Sequence, residues 1–206
     1  MPAIVDMNLR QATVVRVDDT APVPWRNGGG VTRELLAWPD PQDWIVRVSV
    51  ADITASGPFS SFAGVDRWFA VLCGGAVRLA TAGAEPSDLT AERETLHEFS
   101  GEAATHCTAE GLATRDFNLM VRRERARLRQ HPIRQSPALE TRADGAGLFV
   151  AAAVTVRQES GPALLLPALA LAWWPNPERV LRSLRVESAP ARGWWFEVDT
   201  LLQPAS

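Results

Sequence analysis

Short apolar-rich segments separated by turn residues dominate the chain. Residues 12–17, 44–50, 67–73, 76–80, 115–121, 148–156, 180–186 and 194–198 are rich in β-branched or aromatic side chains, with glycine, proline, serine and aspartate between them. Within residues 44–50, Trp44, Val46, Val48 and Val50 share one face of an extended strand, while Arg47 and Ser49 share the other. No long stretch carries a helical period. Many short strands at this spacing predict an all-β sandwich or barrel, with one or two short helices in the linkers. Residues 122–135 are arginine-rich and follow a strong strand, so a boundary is expected there. It divides a main β lobe, residues 1–128, from a second, smaller β lobe, residues 129–206, the two packed as a single compact unit. The run from Arg122 to Arg129 reads as a solvated edge strand or linker, because charges on an edge discourage sheet-to-sheet pairing.

Composition narrows the function classes. The 206 residues suit one large β domain or two small lobes, and can bury a core without metals or disulfides. A net charge of -3 supplies no positive field for nucleic acid or anionic lipid. The basic residues are all arginine and tyrosine is absent, which removes Schiff-base lysine and phenolic acid–base chemistry. The first ten residues lack the apolar core of a signal peptide, and no apolar stretch is long and proline-free enough to span a membrane. Cys73 and Cys107 read as two buried reduced thiols of a cytoplasmic protein.

Candidate chemistry collects in a few places. Between Trp25 and Glu34, three glycines let the backbone approach a ligand or take positive φ, flanked by Asn27, Thr32 and Glu34. The same segment equally reads as a tight turn with ordinary polar neighbours. Arg47 and Ser49 either line a cavity or face water. Arg67 starts a strand on the side of Phe69, Val71 and Cys73, where an arginine caps a pocket or forms a buried ion pair. Asp116 and Asn118 share a face, opposite Phe117 and Leu119. His97, His106 and His131 are scattered, so no zinc or iron ligand cluster is visible, and a His97–His106–Cys107 site is a weak candidate. Ser60 and Ser61 lack the Gly-x-Ser-x-Gly elbow of a serine nucleophile.

Several of these blocks together resemble the HutD/Ves family. They are Val23 to Glu34 (VPWRNGGGVTRE), Arg47 to Asp52 (RVSVAD), Gly57 to Phe62 (GPFSSF) with Asp66 and Arg67, Gly74-Gly75, Phe99-Ser100-Gly101, and Asp116 to Arg123 (DFNLMVRR). The match runs in order through about the first two-thirds of the chain and is loose from roughly Gln130 onward. The resemblance implies a cupin-like (RmlC-like jelly-roll) barrel, single or double (bicupin). Residues 57–75 fall where a cupin carries its first metal motif, and they hold no histidine, so neither metal nor cofactor is expected. The ligand-binding set is then Asn27, Gly29, Thr32, Glu34, Arg47, Ser49, Arg67, Asp116 and Asn118. Family members are associated with histidine degradation and are thought to restrain its flux or respond to an intermediate; their biochemical activity is not established. The expected function is metal-free binding of a small carboxylate intermediate such as urocanate or formylglutamate, with regulation of histidine utilisation as the outcome. The alternative is a metal-independent acid–base enzyme with Glu34 or Asp116 as catalytic group. Neither nucleic acid nor membrane is expected as a partner, and a homodimer is left open.

Overall fold

The structure is a computed structural model that describes residues 12–135, 138–158, 163–187 and 192–201. Apart from one 3-10 turn at Ile133–Gln135, every regular element among the described residues is a β-strand, so the chain is all-β. It divides into two compact units. One is Ala21–Arg125; the other joins the chain up to Thr20 to the chain from Ala126 onward.

Strand β1 (Thr13–Arg16) belongs to the second of these units. The Ala21–Arg125 unit contains β2 (Val23–Pro24), β3 (Gly30–Trp38), β4 (Val46–Ile53), β5 (Gly57–Pro58), β6 (Val65–Thr81), β7 (Ser87–Leu89), β8 (His97–Ser100) and β9 (Thr105–Arg122). They form one antiparallel sheet in the order β2-β3-β4-β9-β6-β7, with β5 added to β9 and β8 to β6. Alternation builds two different faces. Val46, Val48 and Val50 are completely buried on one side of β4, whereas Arg47, Ser49, Ala51 and Ile53 turn to the other. At one end of that second face an apolar cluster forms from Ile53, Val71, Val77, Leu79, Leu89 and Cys107, among others.

The other unit continues with β10 (Ala126–Pro132), β11 (Ala138–Thr141), β12 (Gly145–Val150), β13 (Val154–Gln158), β14 (Ala163–Leu166), β15 (Ala170–Pro175), β16 (Arg182–Val186) and β17 (Gly193–Thr200). Two antiparallel sheets result, β1-β15-β12-β17-β10 and β11-β16-β13-β14. Their shared core includes Leu148, Val150, Val156, Leu166, Leu184, Trp174 and Trp195. β12 is GAGLFV, buried at every position. Gly147 is required there: a Cβ would lie 2.0 Å from Cζ of Phe196 on β17.

Several expectations change. Residues 148–156 are not one strand: β12 and β13 belong to different sheets. β15 (ALAWWP) and β3 lacked a period-two signal, the first because it is buried throughout except at Pro175, the second because a bulge between Glu34 and Leu36 breaks the alternation. Cys73 is exposed rather than buried; a register shift between Val71 and Cys73 turns it out of the interior, while Cys107 stays buried. The arginine run ends β9 and forms the edge strand β10. Its side chains meet carboxylates: Arg123 with Asp66 and Glu102, and Arg129 with Glu197 and Asp199. Among the described residues no helix is long and apolar enough to cross a membrane.

Candidate functional site

The inward face of the Ala21–Arg125 unit is a grid whose rows follow from strand register. One row runs Ala37–Arg47–Met120–Arg67–Phe99 across β3, β4, β9, β6 and β8. The next runs Glu34–Ser49–Asn118–Phe69–His97. The third runs Thr32–Ala51–Asp116–Val71. Residues far apart in sequence thus become neighbours spaced about 4.8 Å across the sheet and about 7 Å along it. Arg47, Met120 and Arg67 of the first row, Glu34, Ser49, Asn118 and Phe69 of the second, and Thr32 and Ala51 of the third line a cavity of ≈ 730 Å³, a size that suits a small metabolite. Val23, Pro24 and Trp25 close one side, and Pro58, Phe59 and Phe62 another.

Most of the predicted set converges here: Asn27, Thr32, Glu34, Arg47, Ser49, Arg67 and Asn118 all line this cavity. Two do not. Gly29 is buried, and its carbonyl accepts the N–H groups of Thr54 and Ala55, so it pins the turn to β4's exit. Asp116 lies one row deeper, between Ala51 and Val71, which both belong to the apolar cluster. The turn at 25–30 depends on Gly28 at φ 70°, with Asn27 Oδ1 accepting the Gly29 N–H at 3.1 Å. Thr32 accepts the Trp25 indole N–H at 2.7 Å and so fixes that aromatic wall.

Of the three arginines that line the cavity, Arg26, Arg47 and Arg67, the last two are in opposite electrostatic conditions. Arg47 Nε donates to Glu34 Oε2 at 2.5 Å, with both side chains partly solvated. Arg67 is 5% exposed and has no carboxylate partner among the described residues; its Nε is buried without an acceptor. Its terminal nitrogens reach only Ser60 O at 3.5 Å and Asn118 Oδ1 at 3.4 Å, both at the limit of hydrogen bonding. Phe59, Phe62 and Phe99 surround the guanidinium at 5.0, 5.7 and 4.9 Å from their ring centroids. Cation–π attraction of this kind contributes on the order of 0.5–2 kcal/mol per contact. An unpaired ion held out of water costs several kcal/mol. Burial, and secondarily the like charge of Arg47, brings its pKa down to about 10, so it remains cationic at neutral pH. The cage was not anticipated from sequence; its signal was two phenylalanines three apart in a glycine-, proline- and serine-rich loop.

Asp116 is the second unusual group. It is completely buried, with Thr114 Oγ1 donating to Oδ2 at 2.7 Å and Oδ1 left without a partner. Burial pushes its pKa up to about 7, the Thr114 bond opposing this and Asp52 adding to it. The weak metal candidate is also placed: His106 and Cys107 are adjacent on β9 and point to opposite faces. Among the described residues no three histidine, cysteine or carboxylate side chains come together as metal ligands.

An all-β, cupin-like protein with an arginine-bearing cavity in one unit is the class that fold and site define. The fold likeness extends to remote cupins: an oxalate decarboxylase of Lactobacillus farciminis, solved as a formate complex, matches with a TM-score of 0.58 at 9% identity, covering 90% of this chain and 85% of that one. Within that class, the sequence model of the HutD family matches residues 17–191, and the chain belongs to the HutD family. It is 34% identical to Protein Ves of Cronobacter sakazakii over 79% of this chain and 87% of that protein. It is 39% identical to an uncharacterized 21.2 kDa protein in the hutC 3' region of Pseudomonas putida, over 59% of this chain and 64% of that one. The structure of HutD from Pseudomonas fluorescens SBW25 superimposes with a TM-score of 0.80 at 26% identity, covering 92% of this chain and 99% of that one.

Proposed function

We propose that this protein is a cytoplasmic small-molecule-binding member of its family that takes a small carboxylate into the cavity of the Ala21–Arg125 unit. One observation carries the reading: Arg67 is a buried cation without a counter-ion among the described residues, lining a cavity that has room for one. A bound carboxylate completes its hydrogen bonds and offsets the cost of burying the charge. Ser49 and Asn118, in the next row, supply polar groups for the rest of the ligand, and Phe59, Phe62 and Trp25 supply the walls. The hutC-region relative and the HutD structure support histidine utilisation as the setting; on this reading the ligand is an intermediate such as urocanate or formylglutamate, and regulation of the pathway is the outcome.

Catalysis is the second reading, and Asp116, with a pKa near neutrality, is the observation that favours it. Binding is preferred because Asp116 lies outside the cavity lining and Glu34 is committed to Arg47. The test is a thermal-shift screen of urocanate, formiminoglutamate, formylglutamate, glutamate and formate, each followed for product. A ligand present at 100 times its Kd stabilises by about 2.7 kcal/mol. We expect at least one acid to raise the midpoint without being consumed. No shift from any of them sinks the binding reading, while turnover lost in Asp116→Asn or Glu34→Gln decides for the enzyme.

A further inference from the structure

Two sets of hydrogen-bonding groups in the cavity differ in kind. The Arg67 guanidinium offers only donors. The other set is the Glu34–Arg47 pair, joined through a single contact, Nε to Oε2. That contact leaves Glu34 Oε1 as an acceptor and the terminal nitrogens of Arg47 as donors, and both residues line the cavity. Because each partner fixes the other's orientation, the pair presents one acceptor beside one donor in a set geometry. Glu34 sits on β3 and Arg67 on β6, with β4 and β9 between them, so roughly 14 Å of sheet, three strand spacings, separates their backbones. Both residues line the same cavity.

From this pairing, and resting on the carboxylate-binding reading above, we infer that Glu34 is a specificity-determining residue. The ligand carries, besides the carboxylate held by Arg67, an amide-like N–H and C=O edge: the N–H donates to Glu34 Oε1, and the oxygen accepts from Arg47. Amidines and N–H heterocycles present the same donor to Glu34. An ester, which keeps the carbonyl but has no N–H, leaves the Glu34 oxygen facing an ether oxygen, so two acceptors meet. Sites built to hydrogen-bond a donor reject analogues that lack it far more strongly than sites that read shape alone. Glu34 is partly solvated, so the discrimination is moderate, about tenfold, equivalent to about 1.4 kcal/mol.

The experiment compares acids that differ only in that edge: glutaramate against monomethyl glutarate, and adipamate against monomethyl adipate. Each is titrated calorimetrically into wild type, Glu34→Gln and Glu34→Ala, with melts confirming that the variants fold. In wild type the better-fitting amide binds about tenfold more tightly than its ester, and in Glu34→Ala the ratio falls to about one. Glu34→Gln, which keeps a weaker acceptor, lies between. An ester that binds wild type as tightly as its amide overturns the inference, and so does a preference that survives in Glu34→Ala; either result leaves the Arg67 site standing. Failure of all four acids to bind also overturns this inference, while the carboxylate-binding reading stands or falls on the screen of the five acids above.

Discussion

The two units share an all-β construction and use their interiors in opposite ways. In the unit that runs from Ala126, the space between the sheets is filled by large apolar side chains, with the Trp174 and Trp195 rings 5.9 Å apart at its centre. In the Ala21–Arg125 unit the apolar cluster occupies only one end, and the rest of the inward face carries Glu34, Arg47, Ser49, Arg67 and Asn118 around a cavity. A filled interior stabilises by burial and close packing. A hollow, charged one gives up part of that stability, as at Arg67 and Asp116, each buried with a polar atom that has no partner. The difference teaches that the one unit keeps polar and charged side chains around an open space where the other unit has close packing.

Changes that empty the filled interior should have the largest effect. Trp195→Ala is expected to cost about 3–5 kcal/mol in chemical denaturation, without altering ligand affinity in the protein that remains folded. A loss below about 1 kcal/mol would break the contrast. Next comes Asp116→Asn. The folded carboxyl has a pKa near 7 against 3.8 for the free group. As pH rises from about 4 to 7, the unfolded chain therefore releases a proton that the folded one keeps, and stability falls; above 7 the penalty is constant. At full extent this is on the order of 4 kcal/mol. Asp52, Asp144 and Glu102 have lowered pKa values and pull the other way, so the signature is the difference between variant and wild type. The variant's advantage should be near zero at about pH 4 and grow towards about pH 7, and a flat difference would show that Asp116 ionises normally. Gly147→Ala, which forces a methyl against the Phe196 ring, should destabilise by about 1–3 kcal/mol through overpacking, read as a lower denaturation midpoint. The smallest effect expected is that of Thr32→Val, which deprives the Trp25 indole of its acceptor. About 1 kcal/mol of stability and a modest weakening of acid binding are expected, both measurable by melts with and without ligand.

The legible part of the fold was the part with one apolar and one polar face. β4 alternates, so Arg47 and Ser49 could be placed together on its second face, and Asp116 and Asn118 likewise on β9. Strands buried on both sides offered no alternation, which is why β15 passed as an apolar stretch and β12 merged with β13. The HutD/Ves blocks supplied what periodicity could not: that Asn27 and Glu34, far from Arg67 and Asn118 in sequence, belong to one site. Neither source could tell which arginine was paired. That depends on a bulge at Glu34/Leu36 that sets Glu34 against Arg47, and on a phenylalanine cage drawn from a loop and from β8. The bulge leaves no pattern in the sequence, and of the cage only the Phe59/Phe62 spacing does.

The central claim is that Arg67 is held in the cavity at a cost in stability because it receives an anion. Arg67→Met tests it directly, in one protein, by a melt and by calorimetric titration of urocanate and formylglutamate. Replacing a buried, unpaired cation with an apolar side chain of similar length should leave the unfolding midpoint unchanged or raise it. Removing the charged partner of a bound carboxylate should cost about 2–5 kcal/mol of affinity, enough to abolish the heat of binding. A variant that melts earlier yet binds these acids as wild type does would contradict the account, since Arg67 would then serve the fold and not the ligand.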